Sequence, residues 1–76
     1  MVVIMVLMNV NDAVAWKWRN GVAEGIVAQI FPERTEITSK GKRVVRQGTP
    51  DNPALVIKHK SGNQVLKLQS EVQKTG

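Results

Sequence analysis

Cysteine and tyrosine are absent from this 76-residue chain, and histidine and phenylalanine occur once each. Without thiols there is no disulfide, and a single histidine cannot furnish the several close ligands of a zinc site. Neither a metal nor any other cofactor is expected. Domains this small are usually stapled by a disulfide or a metal, so stability has to come from apolar packing and sheet closure. The margin is thin, because so short a chain buries only about 60% of the surface its unfolded form exposes. A thiol-free chain also suits a reducing compartment, which makes the cytoplasm the expected location.

Acidic residues are scarce: six, scattered, against eleven Lys and Arg. General acid–base chemistry wants a histidine or paired carboxylates in tuned environments, and scattered acids do not suggest a pocket lined by them. His59, between Lys58 and Lys60, reads as a strand residue at the rim of the fold. Gly21 and Gly25 lack the Lys-Ser/Thr that completes a phosphate-binding loop. An enzyme is not expected. Long apolar runs are missing too. Residues 1–8 (MVVIMVLM) are apolar throughout, but a bilayer span takes ~20 such residues, and Asn9, Asn11 and Asp12 end the run. A secretory leader would want a basic segment before it and small residues after it, and a membrane role is not expected. The run reads as an extra edge strand, a loose tail, or sequence upstream of the true start, and residues 1–9 are set apart as an apolar appendage.

What remains is patterned for strands. From Asn11 onward short alternating runs recur between turn residues, without sustained helical spacing. In Ala13–Arg19 the period of two puts Val14, Trp16 and Trp18 on one face, Lys17 and Arg19 on the other. Asn20-Gly21 then marks a hairpin turn. Residues 22–38 form a long run punctuated by Gly25 and Pro32, where a bulge or bend is expected. Ser39-Lys40-Gly41-Lys42 reads as the next turn, followed by a strand over 43–47. Residues 48–53 are a loop by their Gly, Pro and Asn content. Ala54–Lys60 and Gln64–Leu68 complete a set of five strands, with Leu66 and Leu68 facing inward, and Ser70-Glu71-Val72 holds one helical turn. Residues 10–72 make one domain, with a polar tail at 73–76. Five short strands without a long helix suggest a small barrel, which also removes exposed sheet edges.

Charge is uneven. The formal total is +5; residues 1–38 carry three cations against four acids, and residues 39–76 eight against two. Such a surplus favours an anionic partner, and it also occurs on small sheets that are basic for solubility.

The segment Trp16-Lys17-Trp18-Arg19-Asn20-Gly21-Val22-Ala23-Glu24-Gly25-Ile26-Val27 resembles the W-x-W-x-x-G-x-x-x-G-x-V opening of the hypervirulence-associated protein Tudor-domain family. Lys40-Gly41-Lys42, Asp51-Asn52-Pro53-Ala54, Val65-Leu66-Lys67 and Ser70-Glu71 follow in the family's order and spacing. The resemblance covers roughly residues 10–72. It implies an all-β, five-stranded SH3-like barrel of the Tudor type, without established catalysis. One departure stands at the start, where members commonly carry Gly-Asp and this chain has Asn11-Asp12. Asparagine tolerates the left-handed conformation, so the turn is expected to survive.

Two groups of residues are candidates for binding. Trp16 and Trp18 suit a protein or peptide ligand docked on the barrel face. An aromatic cage for a methylated side chain has poor support, because Phe31 is the only other aromatic residue. The plain alternative is that one tryptophan fills the barrel and the other covers its open end. Lys40, Lys42, Arg43 and Arg46, on a hairpin tip and its strand, with Lys58 and Lys60 on a neighbouring strand, would form a phosphate-binding face for single-stranded nucleic acid. Their plain alternative is solvated charge on turns. The binding module is taken to be a monomer.

Overall fold

The computed structural model describes residues 8–75. In chain order the elements are β1 (Ala13–Trp18), β2 (Gly21–Phe31), β3 (Arg34–Ser39), β4 (Lys42–Gln47), β5 (Ala54–His59), β6 (Gln64–Leu68), a 3₁₀ helix (Gln69–Glu71) and β7 (Gln73–Lys74). The protein is all-β, with two sheets: a five-stranded antiparallel sheet in the order β6-β5-β2-β1-β7, and the separate hairpin β3-β4.

The long run expected over 22–38 is therefore two strands. Pro32 has no amide hydrogen to donate to a ladder, and the chain bends at Pro32-Glu33. The bulge falls between Val27 and Gln29 and not at Gly25. Gly25 serves close packing instead: a Cβ there would lie 2.6 Å from Ile57 Cγ2 and 2.7 Å from the Lys58 carbonyl oxygen. Hydrogen bonding does not close the sheet, because the 3₁₀ helix intervenes between β6 and β7, which form its two edges.

Two apolar clusters meet across β5. Leu55 and Ile57 join Met8, Val14, Trp16, Val27 and Val72 in an inner core. Ala54 and Val56, on the opposite face of β5, join Leu66 in an outer cluster that Phe31, Ile37, Val44 and Leu68 cover. A strand buried on both faces reads as a continuous apolar run, which is why Ala54–Ile57 shows no alternation. The β3-β4 hairpin is the lid of the outer cluster. Ser39 Oγ donates to the Gln64 carbonyl at 2.6 Å near its tip, and Arg46 Nε donates to Glu71 Oε1 at 2.9 Å toward its base.

Turn chemistry matches sequence closely at two points. Asn11 has φ 77°, the left-handed conformation anticipated for it, and Lys40-Gly41 (φ 52° and 77°) form a two-residue turn with both residues left-handed. The first hairpin differs by one residue. Trp18 pairs with Gly21, so its turn is Arg19-Asn20 and Gly21 (φ 145°) closes it. Met8, within the stretch set apart as an appendage, is buried in the inner core, and its amide donates to Gln69 Oε1 at 2.9 Å. The rest of that apolar run, residues 1–7, lies outside the described residues.

Candidate ligand-binding site

The β1-β2 hairpin outruns its neighbour. β5 pairs with β2 only between Gly25 and Phe31, whereas β1 stays paired with β2 to Trp18 and Gly21. Both tryptophans share a face by strand alternation, but the core ends beneath the first of them. Trp16 is 7% exposed and packs edge-on to His59, with ring centroids 6.1 Å apart; Trp18 is 55% exposed. His59 Nδ1 accepts the Ser61 amide hydrogen at 3.1 Å, which fixes the ring against the β5-β6 turn.

The outer face of the same hairpin carries residues that sequence reasoning did not single out. Val22 is 63% exposed and Ile26 44%. They flank Glu24 at period two, so all three project away from Val27 and the core. The legible clue was an apolar residue on either side of a charged one, on the face opposite Ala23, Gly25 and Val27. Lys17 lies across from Val22, and Lys58 across from Ile26. Two shallow clefts border this surface. One, of ≈ 360 Å³, lies between β1 and the 3₁₀ helix and is lined by Trp16, Lys17, Val22 and Glu71 among others. The second, of ≈ 330 Å³, is lined by Ala13, Ile26, Lys58 and Lys60 among others.

The cations expected to form a phosphate-binding face are distributed differently. Lys42, Arg43 and Arg46 lie on β4, which is hydrogen-bonded to β3 and not to β5. Lys42 and Arg46 share the Val44 face, turned toward the outer cluster, and Arg43 points the other way. Arg43 pairs with Glu36 at 2.6 Å, Arg46 with Glu71 at 2.9 Å, and Lys60 with Glu24 at 2.9 Å. Lys42 and Lys58 have no ion pair among the described residues. The Ser39–Gln64 bond brings the Lys42 end of the hairpin beside Gln64, whose strand partner is Lys58. Lys17 and Arg19 likewise stand without an ion pair among the described residues, beside Trp18.

Glu71 ties the elements together. Burial pushes its pKa up, but hydrogen bonds from the Leu68 amide and Arg46, with the charges of Arg46 and Lys67, outweigh this and hold it below the ordinary glutamate value. Its Oε1 accepts from both the Leu68 amide (2.8 Å) and Arg46 (2.9 Å). This carboxylate is spent on structure.

No helix among the described residues is long and apolar enough to cross a membrane. The family model described as hypervirulence associated proteins TUDOR domain matches residues 12–72. No curated protein and no solved structure matches the chain.

Proposed function

The chain belongs to the hypervirulence-associated protein Tudor-domain family, and from that membership we propose that it is a small, non-catalytic binding module that docks a protein or peptide around Trp18. On this reading the two sheets together are the SH3-like, Tudor-type barrel of the family, with β2 and β3 as its one long bent strand. The 3₁₀ helix and Val72, rather than a continuous ladder, bridge the gap between its edges. The domain works as a cytoplasmic monomer, and its folded unit runs past the expected 10–72 at both ends, from Met8 in the core to β7 on the sheet.

One observation carries the proposal. Trp18 is half exposed on a hairpin that projects past its neighbouring strand, one alternation beyond a tryptophan that is buried. Tryptophan is enriched among the residues that dominate binding energy at interfaces, and the core does not need this one. Val22 and Ile26 extend the apolar surface around the hairpin. The test is affinity capture from a cell extract with the wild-type chain and with Trp18→Ala. A protein retained by the first and lost from the second supports the module; identical retention by both removes it.

Single-stranded nucleic acid is the second reading. It is favoured by Lys42 and Lys58 near one end of the outer face and by Lys40 at the hairpin tip, none of them ion-paired among the described residues. Binding of an oligonucleotide would weaken linearly with salt on logarithmic axes. Lys42→Glu with Arg43→Glu would weaken it, and Lys42→Glu with Lys58→Glu would weaken it further, because Arg43 is already matched by Glu36. Unchanged affinity in the second double variant eliminates this reading.

A further inference from the structure

The ladder between β1 and β7 stops early. Pairing covers Val14 with Lys74 and Ala15 with Gln73. Backbone groups of a strand point alternately to its two sides, and the Ala13 carbonyl accepts from the Thr75 amide on the β7 side. By that alternation the amide and carbonyl of Lys17 face the same side, past the end of β7. They have no hydrogen-bond partner among the described residues. Continued in register, the chain would set Glu71 opposite Lys17. It does not, because the 3₁₀ helix turns Glu71 away to cap Leu68 and pair with Arg46. The ladder position beside Lys17 is thus open and opens into the ≈ 360 Å³ cleft.

We propose that this edge of β1 accepts an extended peptide strand carrying an acidic residue opposite Lys17. The inference rests on the binding-module reading and names its ligand class. An added strand would take up the Lys17 amide and carbonyl, as in other strand-addition complexes. Its side chains would alternate to match β1: an acid against the outward Lys17 and beyond it an apolar residue against Trp18, the place beside Trp16 being held by Val72. Charge selects this occupant. Arg46 already neutralises Glu71 across the cleft, leaving Lys17 and the nearby Arg19 without counter-charge among the described residues. A second copy of the chain is disfavoured, because antiparallel pairing through this edge would oppose lysine to lysine, and like charges directly opposite destabilise a ladder. A lysine on an open edge guards against self-pairing, and an acidic strand satisfies that guard.

The test uses the full-length, nitrogen-15-labelled chain and three capped heptapeptides. One alternates valine and glutamate, one alternates valine and lysine, and one is the glutamate peptide N-methylated at alternate amides. The glutamate peptide is expected to shift the Lys17 and Trp18 amides saturably and to slow hydrogen exchange at Lys17. Methylation should weaken it about fivefold for each main-chain hydrogen bond removed. Lys17→Glu, at an exposed position that leaves the fold intact, should transfer the preference to the lysine peptide, and Lys17→Gln should abolish the preference. No saturable shift, shifts centred on β3-β4, or the same amides moved by oligouridylate but not by the peptide would each overturn the proposal. Binding that ignores N-methylation yet disappears in Trp18→Ala overturns strand addition alone and leaves the module standing. A captured protein indifferent to Trp18→Ala counts against the module itself.

Discussion

Trp16 and Trp18 are chemically identical and two positions apart, yet their environments assign them opposite work. Replacing Trp16 with alanine leaves a hole among Val14, Val27, Leu55 and Ile57, and large-to-small changes of this kind cost about 3–5 kcal/mol. For so small a domain that is most of the stability. Trp18→Ala is expected to fall within about 0.5 kcal/mol of wild type, as exposed substitutions do. Urea titrations of the two variants check both figures, and a large loss in Trp18→Ala would make that side chain structural. Strand alternation predicted the shared face of the two residues. It was silent on where the core ends beneath them, because that depends on how far β5 reaches along β2. Glu71 gives a pH test. Its pKa is lower in the folded chain than in the unfolded one, so its contribution is complete above the ordinary glutamate value of about 4.3. That contribution is lost as pH falls through the lower folded value. The stability gap between wild type and Glu71→Gln should therefore be wide at pH ~6 and narrow toward pH ~3. Thermal melts at the two values measure it, and a gap that widens in acid refutes the assignment.

At the scale of elements, the hairpin β3-β4 shows what local chemistry can and cannot specify. The turn at Lys40-Gly41 was legible from glycine between two lysines, and both residues adopt positive φ. Lysine is a poor occupant of the left-handed region and asparagine a good one. Lys40→Asn should accordingly stabilise the domain by about 0.5 kcal/mol, read as a rise in the urea midpoint without a change in slope. A fall would mean that the turn is not of this type in solution. The partner of the hairpin was not legible. Period-two patterning says that Ile37 and Val44 want a cover, and says nothing about which sheet they will cover, because that pairing is set by contacts distant in sequence. The expectation that Lys58 and Lys60 would lie on a strand next to β4 failed for the same reason: β5 pairs with β2 and β6, and Lys42 comes near Lys58 only through the Ser39–Gln64 bond. The continuous apolar stretch Ala54–Ile57 did carry information, since only a strand covered on both sides can afford it. The expectation of five strands closed into one barrel left that second layer out, and the stretch is accounted for only by the β3-β4 hairpin lying over it.

The whole molecule is two apolar layers hung on a single strand, and this has a consequence for how it unfolds. Leu55 and Ile57 point into one layer, Ala54 and Val56 into the other. Neither layer can lose β5 and remain a layer. The hairpin is also fastened at both ends, by Ser39 to Gln64 and by Arg46 to Glu71, and Glu71 stands on the 3₁₀ helix that leads into Val72 of the inner core. Damage to the outer layer should therefore be felt at Trp16, which does not belong to it. Ile37→Ala removes apolar cover from Val56 and Leu66, and deletions of this type at part-buried sites cost about 1–2 kcal/mol. The expected result is one transition at a lower urea concentration, with Trp16 fluorescence (followed in a Trp18→Phe background) and far-ultraviolet circular dichroism moving together. Coincident probes are the mark of a two-state domain. If Trp16 fluorescence kept its wild-type midpoint while circular dichroism shifted, the hairpin would be an independent unit resting on a finished sheet. The shared strand would then couple nothing, and the hairpin could be removed without loss of the β1-β2 surface that carries Trp18.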